Sequence, residues 1–169
     1  MSSTVKHRSS EGDDAPSPDL AALQKLRIVI RAAQRHSLWV EKQCGVNGAQ
    51  LWILQELLET PGLRVGQITA RLAIAQATTS NLLEGLVRKG YVVKTRDLDD
   101  ARVVKLALSD AGRALLDTAP KPARGLLPEA LAKLDGADLA SLNAGLQGLL
   151  DSIEDLDEGF GLQPMPFTM

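Results

Sequence analysis

Aromatic residues are nearly missing from this chain: two Trp, two Phe and one Tyr make up 3% of its 169 residues. Its core must therefore be built from Leu, Val, Ile and Ala, a composition that suits helices. A single cysteine, Cys44, excludes an internal disulfide and fits a reducing, cytoplasmic setting. Two histidines and that cysteine lie far apart, which offers no spacing for a His/Cys metal site. No apolar run approaches the roughly 20 residues that span a bilayer, and the N-terminus lacks the apolar run of a secretion signal. Also missing are a phosphate-cradling Gly loop with Lys-Ser/Thr, a Gly-x-Ser-x-Gly and a His-Glu-x-x-His. The expectation is no enzyme, no cofactor and no membrane partner. Asp97, Asp99 and Asp100 are close together, but a turn and a salt bridge to a nearby Arg explain them more simply than a cation.

What is there is a 44% apolar chain of a length that suits one compact domain. It is organised around residues 65–108. Val65, Ile68 and Leu72 recur at helical spacing; a three-residue turn follows, and Leu82, Leu83, Leu86 and Val87 then form a second apolar stripe. That second helix opens differently, with Gln76, Ala77, Thr78, Thr79, Ser80 and Asn81. A neutral polar N-terminus of this kind suits base edges or phosphates. Gly90 stands where a left-handed C′ residue is wanted. Tyr91–Arg96 and Arg102–Leu108 read as two strands joined by a polar link. Helix, short turn, helix and hairpin is the winged helix-turn-helix plan, whose second helix enters the major groove. From Arg64 to Lys105 eight Lys/Arg face four Asp/Glu in a chain of net charge -2, so positive charge gathers where nucleic acid would sit.

The runs Ile68-Thr-Ala-Arg-Leu-Ala, Gln76-Ala-Thr-Thr-Ser, Leu86-Val-Arg-Lys-Gly-Tyr-Val and Asp99-Asp-Ala-Arg-Val-Val-Lys-Leu-Ala-Leu-Ser-Asp-Ala-Gly112 resemble the MarR family of bacterial transcription regulators. The likeness extends from about Leu20 to Leu156. Where that family usually has paired arginines at the wing, this chain has Ala101-Arg102, and Asn81 stands where an arginine is common. Both departures remove cations. The resemblance implies a dimeric, sequence-specific regulator of double-stranded DNA, a repressor on a pseudo-palindromic operator, released by a small aromatic or phenolic ligand. An alternative is a winged-helix module for protein–protein contact without its own operator, which the pI near 5.7 and the missing wing arginine favour.

In chain order, residues 1–16 read as a flexible arm. A dimerisation region is expected over 17–46 and 109–158, the DNA-binding unit over 47–108 and a tail over 159–169, giving a mainly α fold with a small β-hairpin wing. Ser17-Pro18-Asp19 is a helix start with a capping hydroxyl, and Leu20, Leu23, Leu26, Ile30 and Ala33 follow at helical steps to about Gln43. Arg27, Arg31 and Arg35 read as a solvated stripe. Asn47 to Gln50 resembles a capping box. Ser109-Asp110 starts a helix, the prolines near residue 120 break it, and Asp135-Gly136 restarts the chain. Leu139, Leu142, Leu146, Leu149 and Ile153 then form a coiled-coil-like stripe; the resemblance implies that it pairs with the first helix across a dimer axis.

On this reading Gln76, Ala77, Thr78 and Asn81 meet base edges, and Thr79 and Ser80 bond either phosphate or their own helix. Arg88, Lys89, Lys94 and Arg96 meet phosphates, and the resemblance points Arg102 into the minor groove. His36, Trp39 and Trp52 either line an effector cleft or belong to core and interface. Cys44 is a redox-sensor candidate only if its thiol is accessible and its pKa lowered.

Overall fold

A computed structural model describes residues 16–97, 100 and 102–168. Residues 1–15 of the expected arm, and Leu98, Asp99 and Ala101 of the wing link, lie outside the described residues. Among the described residues, seven helices and one hairpin follow in order: α1 (Pro18–Cys44), α2 (Gly48–Glu59), α3 (Val65–Leu72), α4 (Gln76–Arg88), β1 (Val92–Arg96), β2 (Val104–Leu108), α5 (Asp110–Thr118), α6 (Leu126–Leu131) and α7 (Gly136–Asp151). Two 3₁₀ turns, Glu158–Leu162 and Pro166–Thr168, end the chain.

Local chemistry sets most boundaries. The expected box at the start of α2 is present: Gln50 N donates to Asn47 Oδ1 at 2.8 Å, and Asn47 N donates to Gln50 Oε1 at 3.3 Å. Ser17 departs from expectation, because its side chain makes no cap hydrogen bond to the backbone; its hydroxyl instead serves the Asp19 carboxylate and lowers its pKa. Ser109 Oγ caps α5 by accepting from Gly112 N at 3.0 Å, while donating to Gly90 O at 2.6 Å. Gly112 has no alternative at this junction: a Cβ there would lie 2.3 Å from Tyr91 O.

The core joins α2 to the faces of α3 and α4 that the periodicities describe. Leu51, Ile53, Leu54 and Leu57 of α2 are fully buried against Ile68 of α3, Leu83 and Leu86 of α4, Leu106 of β2 and Leu116 of α5. Burying each such side chain contributes about 1.5–3 kcal/mol. The hairpin is antiparallel, Val92 opposite Leu108 and Arg96 opposite Val104. Leu106 also bonds Leu63, its amide donating to Leu63 O at 2.9 Å, so the wing is stitched to the segment before α3.

The outer helices differ. Leu20, Leu23, Leu26 and Ile30 of α1 are exposed, and so are Leu142, Leu146 and Leu149 of α7 with Ile153 after it. No residue of α7 is buried. Among the described residues no helix is long and apolar enough to cross a membrane.

Candidate nucleic-acid interface and the adjoining cleft

The turn between α3 and α4 fixes the presentation of α4. Ala73 adopts a left-handed φ of 53°, and Ala75 takes the N-cap position without a side-chain cap. From there Leu82, Leu83 and Leu86 bury one face of α4 in the core, and Gln76, Ala77 and Asn81 stand exposed on the other. Thr78 and Ser80 are half-buried. Thr79 must be removed from the surface set. It is fully buried and its hydroxyl donates to Ala75 O at 3.2 Å, so it bonds its own helix and cannot reach a phosphate. Buried Gln50 joins from α2, donating to Leu82 O at 3.4 Å and tying the capping box of α2 to α4.

Beside this surface stand the cations. Arg88, at the end of α4, and Lys94, Arg96 and Arg102 on the hairpin are exposed. Lys94 and Arg96, two residues apart, share one face of β1. The wing link is braced by Asp100 Oδ1, which accepts from Arg102 N at 3.0 Å, and by an ion pair of Asp97 with Lys105, a lysine where an arginine was expected. Lys89 is exposed too, but its ammonium donates to Gly45 O at 2.6 Å, joining the end of α4 to the end of α1.

A cleft of about 410 Å³ opens between α1, α2 and α6, within the size range of small-molecule sites. His36 and Trp52 line it; Trp39 does not. Trp39 is 51% exposed, and its ring meets His36 edge-on at 6.1 Å, so its place is on the outer side of α1. His36 Nε2 lies 3.0 Å from Pro122 O; a carbonyl only accepts, so that nitrogen carries the proton. The C-terminal segment also contributes, through Gln163, Met165 and Phe167.

Sequence reasoning missed the hub under this cleft. Glu56 is buried, and its carboxylate accepts from Trp52 Nε1 at 2.9 Å, Arg124 Nε at 2.8 Å and Arg71 Nη1 at 3.0 Å. Arg124 also pairs with Glu59, and Arg71 donates to Thr60 Oγ1 at 3.0 Å. Burial pushes the Glu56 carboxyl upward, but bonds from Arg124, Trp52 and Arg71 outweigh it and hold the group below the usual range. One carboxylate thus fastens α2, α3 and the Pro122–Gly125 turn together. The available signal was a glutamate on the buried side of an otherwise apolar helix. Cys44 is buried, and burial raises its thiol pKa, the reverse of what a sensor needs.

An apolar-backed helix with an exposed polar start, set after a tight turn and followed by a cationic hairpin, defines a winged helix-turn-helix protein. Residues 45–103 match the model of the MarR family. The chain is 32% identical over 117 residues to the HTH-type transcriptional regulator TtmR of Methylorubrum extorquens, covering 69% of this chain and 57% of the relative. It is 33% identical over 91 residues to the HTH-type transcriptional repressor MdtR of Bacillus subtilis, covering 54% of this chain and 57% of that protein. The matched stretch therefore spans just over half the length of these relatives. A probable transcriptional regulator from Pseudomonas aeruginosa superposes with a TM-score of 0.52 at 29% identity, covering 76% of this chain and 98% of that one. A mutant of S. aureus MepR bound to an oligodeoxyribonucleotide, at 22% identity, shares the fold with a TM-score of 0.51 over 78% of this chain and 96% of its own. Residues 45–103 thus match the MarR family, and the chain shares the winged helix-turn-helix fold of the regulators it resembles.

Proposed function

We propose that this protein binds double-stranded DNA as a homodimer and represses transcription from a pseudo-palindromic operator. The observation that carries this reading is the start of α4: Gln76, Ala77 and Asn81 project from a helix whose opposite face is locked in the core. Such a helix fits the major groove, where Asn and Gln pair with adenine through two hydrogen bonds. The exposed Lys94, Arg96 and Arg102 suit phosphates and, for Arg102, a narrow A·T-rich minor groove. MepR, of the same fold, is seen with an oligodeoxyribonucleotide, and MdtR is a repressor. Dimer formation is favoured by the open apolar stripes of α1 and α7, which one chain does not bury.

The test is affinity against salt for three variants on matched and scrambled operators. Asn81→Ala costs about 1–3 kcal/mol and relaxes preference at one position of each half-site. Lys94→Ala weakens all sequences alike and flattens the salt slope by about one for each phosphate left without its cation. Arg102→Ala loses most on A·T-rich flanks. The same uniform loss from Asn81→Ala and Lys94→Ala would mean that α4 does not read bases. No binding to fragments from the upstream region would favour a protein–protein module.

The cleft lined by His36 and Trp52 suits a small aromatic or phenolic effector, a role that here no longer includes Trp39. A ligand there quenches Trp52 and weakens DNA binding by one shared coupling free energy. Quenching that left DNA affinity unchanged would mark adventitious binding.

A further inference from the structure

The segment after α7 folds back across the molecule and touches both regions just described. Leu162 O accepts from the Ala75 amide, at the N-cap of α4, at 2.7 Å. Gln163 and Pro164 next form one wall of a hollow whose other wall is Thr78 and Asn81. Met165, Phe167 and Thr168 then line the cleft that holds His36 and Trp52. Thr168 comes close to the start of α2: a Cβ built on Gly48 would lie in ordinary contact with the Thr168 Cβ at 3.4 Å, with Ser37 Oγ nearer at 3.1 Å. None of these segment residues is buried, and Leu162 and Met165 are more than half or half exposed. Few buried contacts therefore hold the segment, which suits reversible release. Pro164 and Pro166 restrict the free segment and lessen the entropy lost on docking.

We propose that Gly161–Thr168 is an autoinhibitory strap, a wall of the cleft that also blocks the start of α4 until it leaves. The reasoning is steric. An α-helix with its side chains is about 10–12 Å across, and the major groove is about 12 Å wide. The groove that admits α4 has no room for a second run of chain alongside Thr78 and Asn81. The strap rests on the DNA-binding reading above, although its docking does not.

Two measurements separate them. In a Cys44→Ser background, Gly48→Cys with Thr168→Cys places two β-carbons close to the spacing a disulfide needs, so oxidation locks the strap and reduction frees it. Phe167→Ala loosens it without touching the α2 cap. Binding is read with a random-sequence DNA duplex at low salt. Docking is read without DNA, as exchange of the Ala75 amide proton. The oxidised pair is expected to bind DNA roughly tenfold or more weakly than when reduced, because apparent affinity scales with the competent fraction. Phe167→Ala is expected to bind more tightly than wild type and to lose Ala75 protection. Equal affinity of locked and reduced forms, or an unprotected Ala75 in the wild type, overturns the proposal. If no form binds the duplex while Ala75 protection still depends on Phe167, the DNA reading fails. The strap then docks but inhibits nothing, and the proposal falls with that reading.

Discussion

Replacing Glu56 by Gln removes one negative charge and leaves two guanidinium groups facing a neutral amide. The side chain of Glu56 is 6% exposed, while those of Arg71 and Arg124 are 38% and 35% exposed. Breaking a fully buried pair from one side costs about 3–5 kcal/mol. Here both arginines can turn to water, and exposed pairs are worth only about 0–1 kcal/mol. The carboxylate is shut in and its partners are not, so we expect a loss of about 2–3 kcal/mol. At roughly 2–4 °C per kcal/mol for a chain of this size, that is a drop of about 4–12 °C in the melting temperature. The pH dependence gives a second reading. Glu56 is held below the usual carboxylate range in the fold, so its contribution is present above the unfolded value of about 4.3 and is lost as pH falls through the folded value. Calorimetry of wild type and Glu56→Gln at matched concentration should show a constant gap near neutral pH that narrows below about pH 4. A melting difference under about 1 °C at neutral pH, or a gap undiminished at about pH 3, would refute the hub.

Replacing Leu142 and Leu149 together by Asp should abolish the folded dimer, since buried charge is strongly unfavourable; a wild-type monomer of unchanged stability in native mass spectrometry would sink the dimer. Cys44→Ser should leave DNA binding and any peroxide response as in wild type, and loss of an oxidant response in that variant alone would show a sensing thiol. Gly112→Ala drives a methyl into Tyr91 O and should cost about 2–3 kcal/mol in urea denaturation. Gly66→Ala, with open space around it inside α3, should instead stabilise by about 0.5–1 kcal/mol.

What was legible in the sequence is chemistry that closes within a few residues or repeats with a fixed period. The Asn47–Gln50 box, the Ser109 cap and the Asp135 cap, which accepts from Asp138 N at 2.8 Å, are of the first kind. The faces of α3 and α4 are of the second. Thr79 was half readable: a threonine bonding back to the carbonyl four residues earlier looks, in sequence, like a threonine offered to solvent. The bond of Lys89 was hidden for a related reason. A lysine after a recognition helix has the charge for a phosphate, and only the path of α1 shows that Gly45 O lies within reach. Glu56 and the strap depend on contacts between segments far apart in the chain. Arg124 is 68 residues from Glu56, and no periodicity connects them. Trp39 fell outside the cleft because α1 turns it outward while placing His36 inward.

The bond from Lys89 to Gly45 O has a geometric consequence. Gly45 is the left-handed residue, φ 63°, at which the long α1 stops, so one lysine pins the trailing end of α4 to the foot of a rod. Twenty-seven helical residues make that rod about 40 Å long at 1.5 Å per residue. In the proposed dimer, a tilt of one rod against its mate swings the attached reading heads through an arc. Half-sites on one side of DNA sit about 34 Å apart, so a few degrees of tilt at the far end moves α4 by a fraction of a base step. Cutting the tether, as in Lys89→Met, should broaden the range of half-site spacings tolerated while leaving the bases preferred within each half-site unchanged.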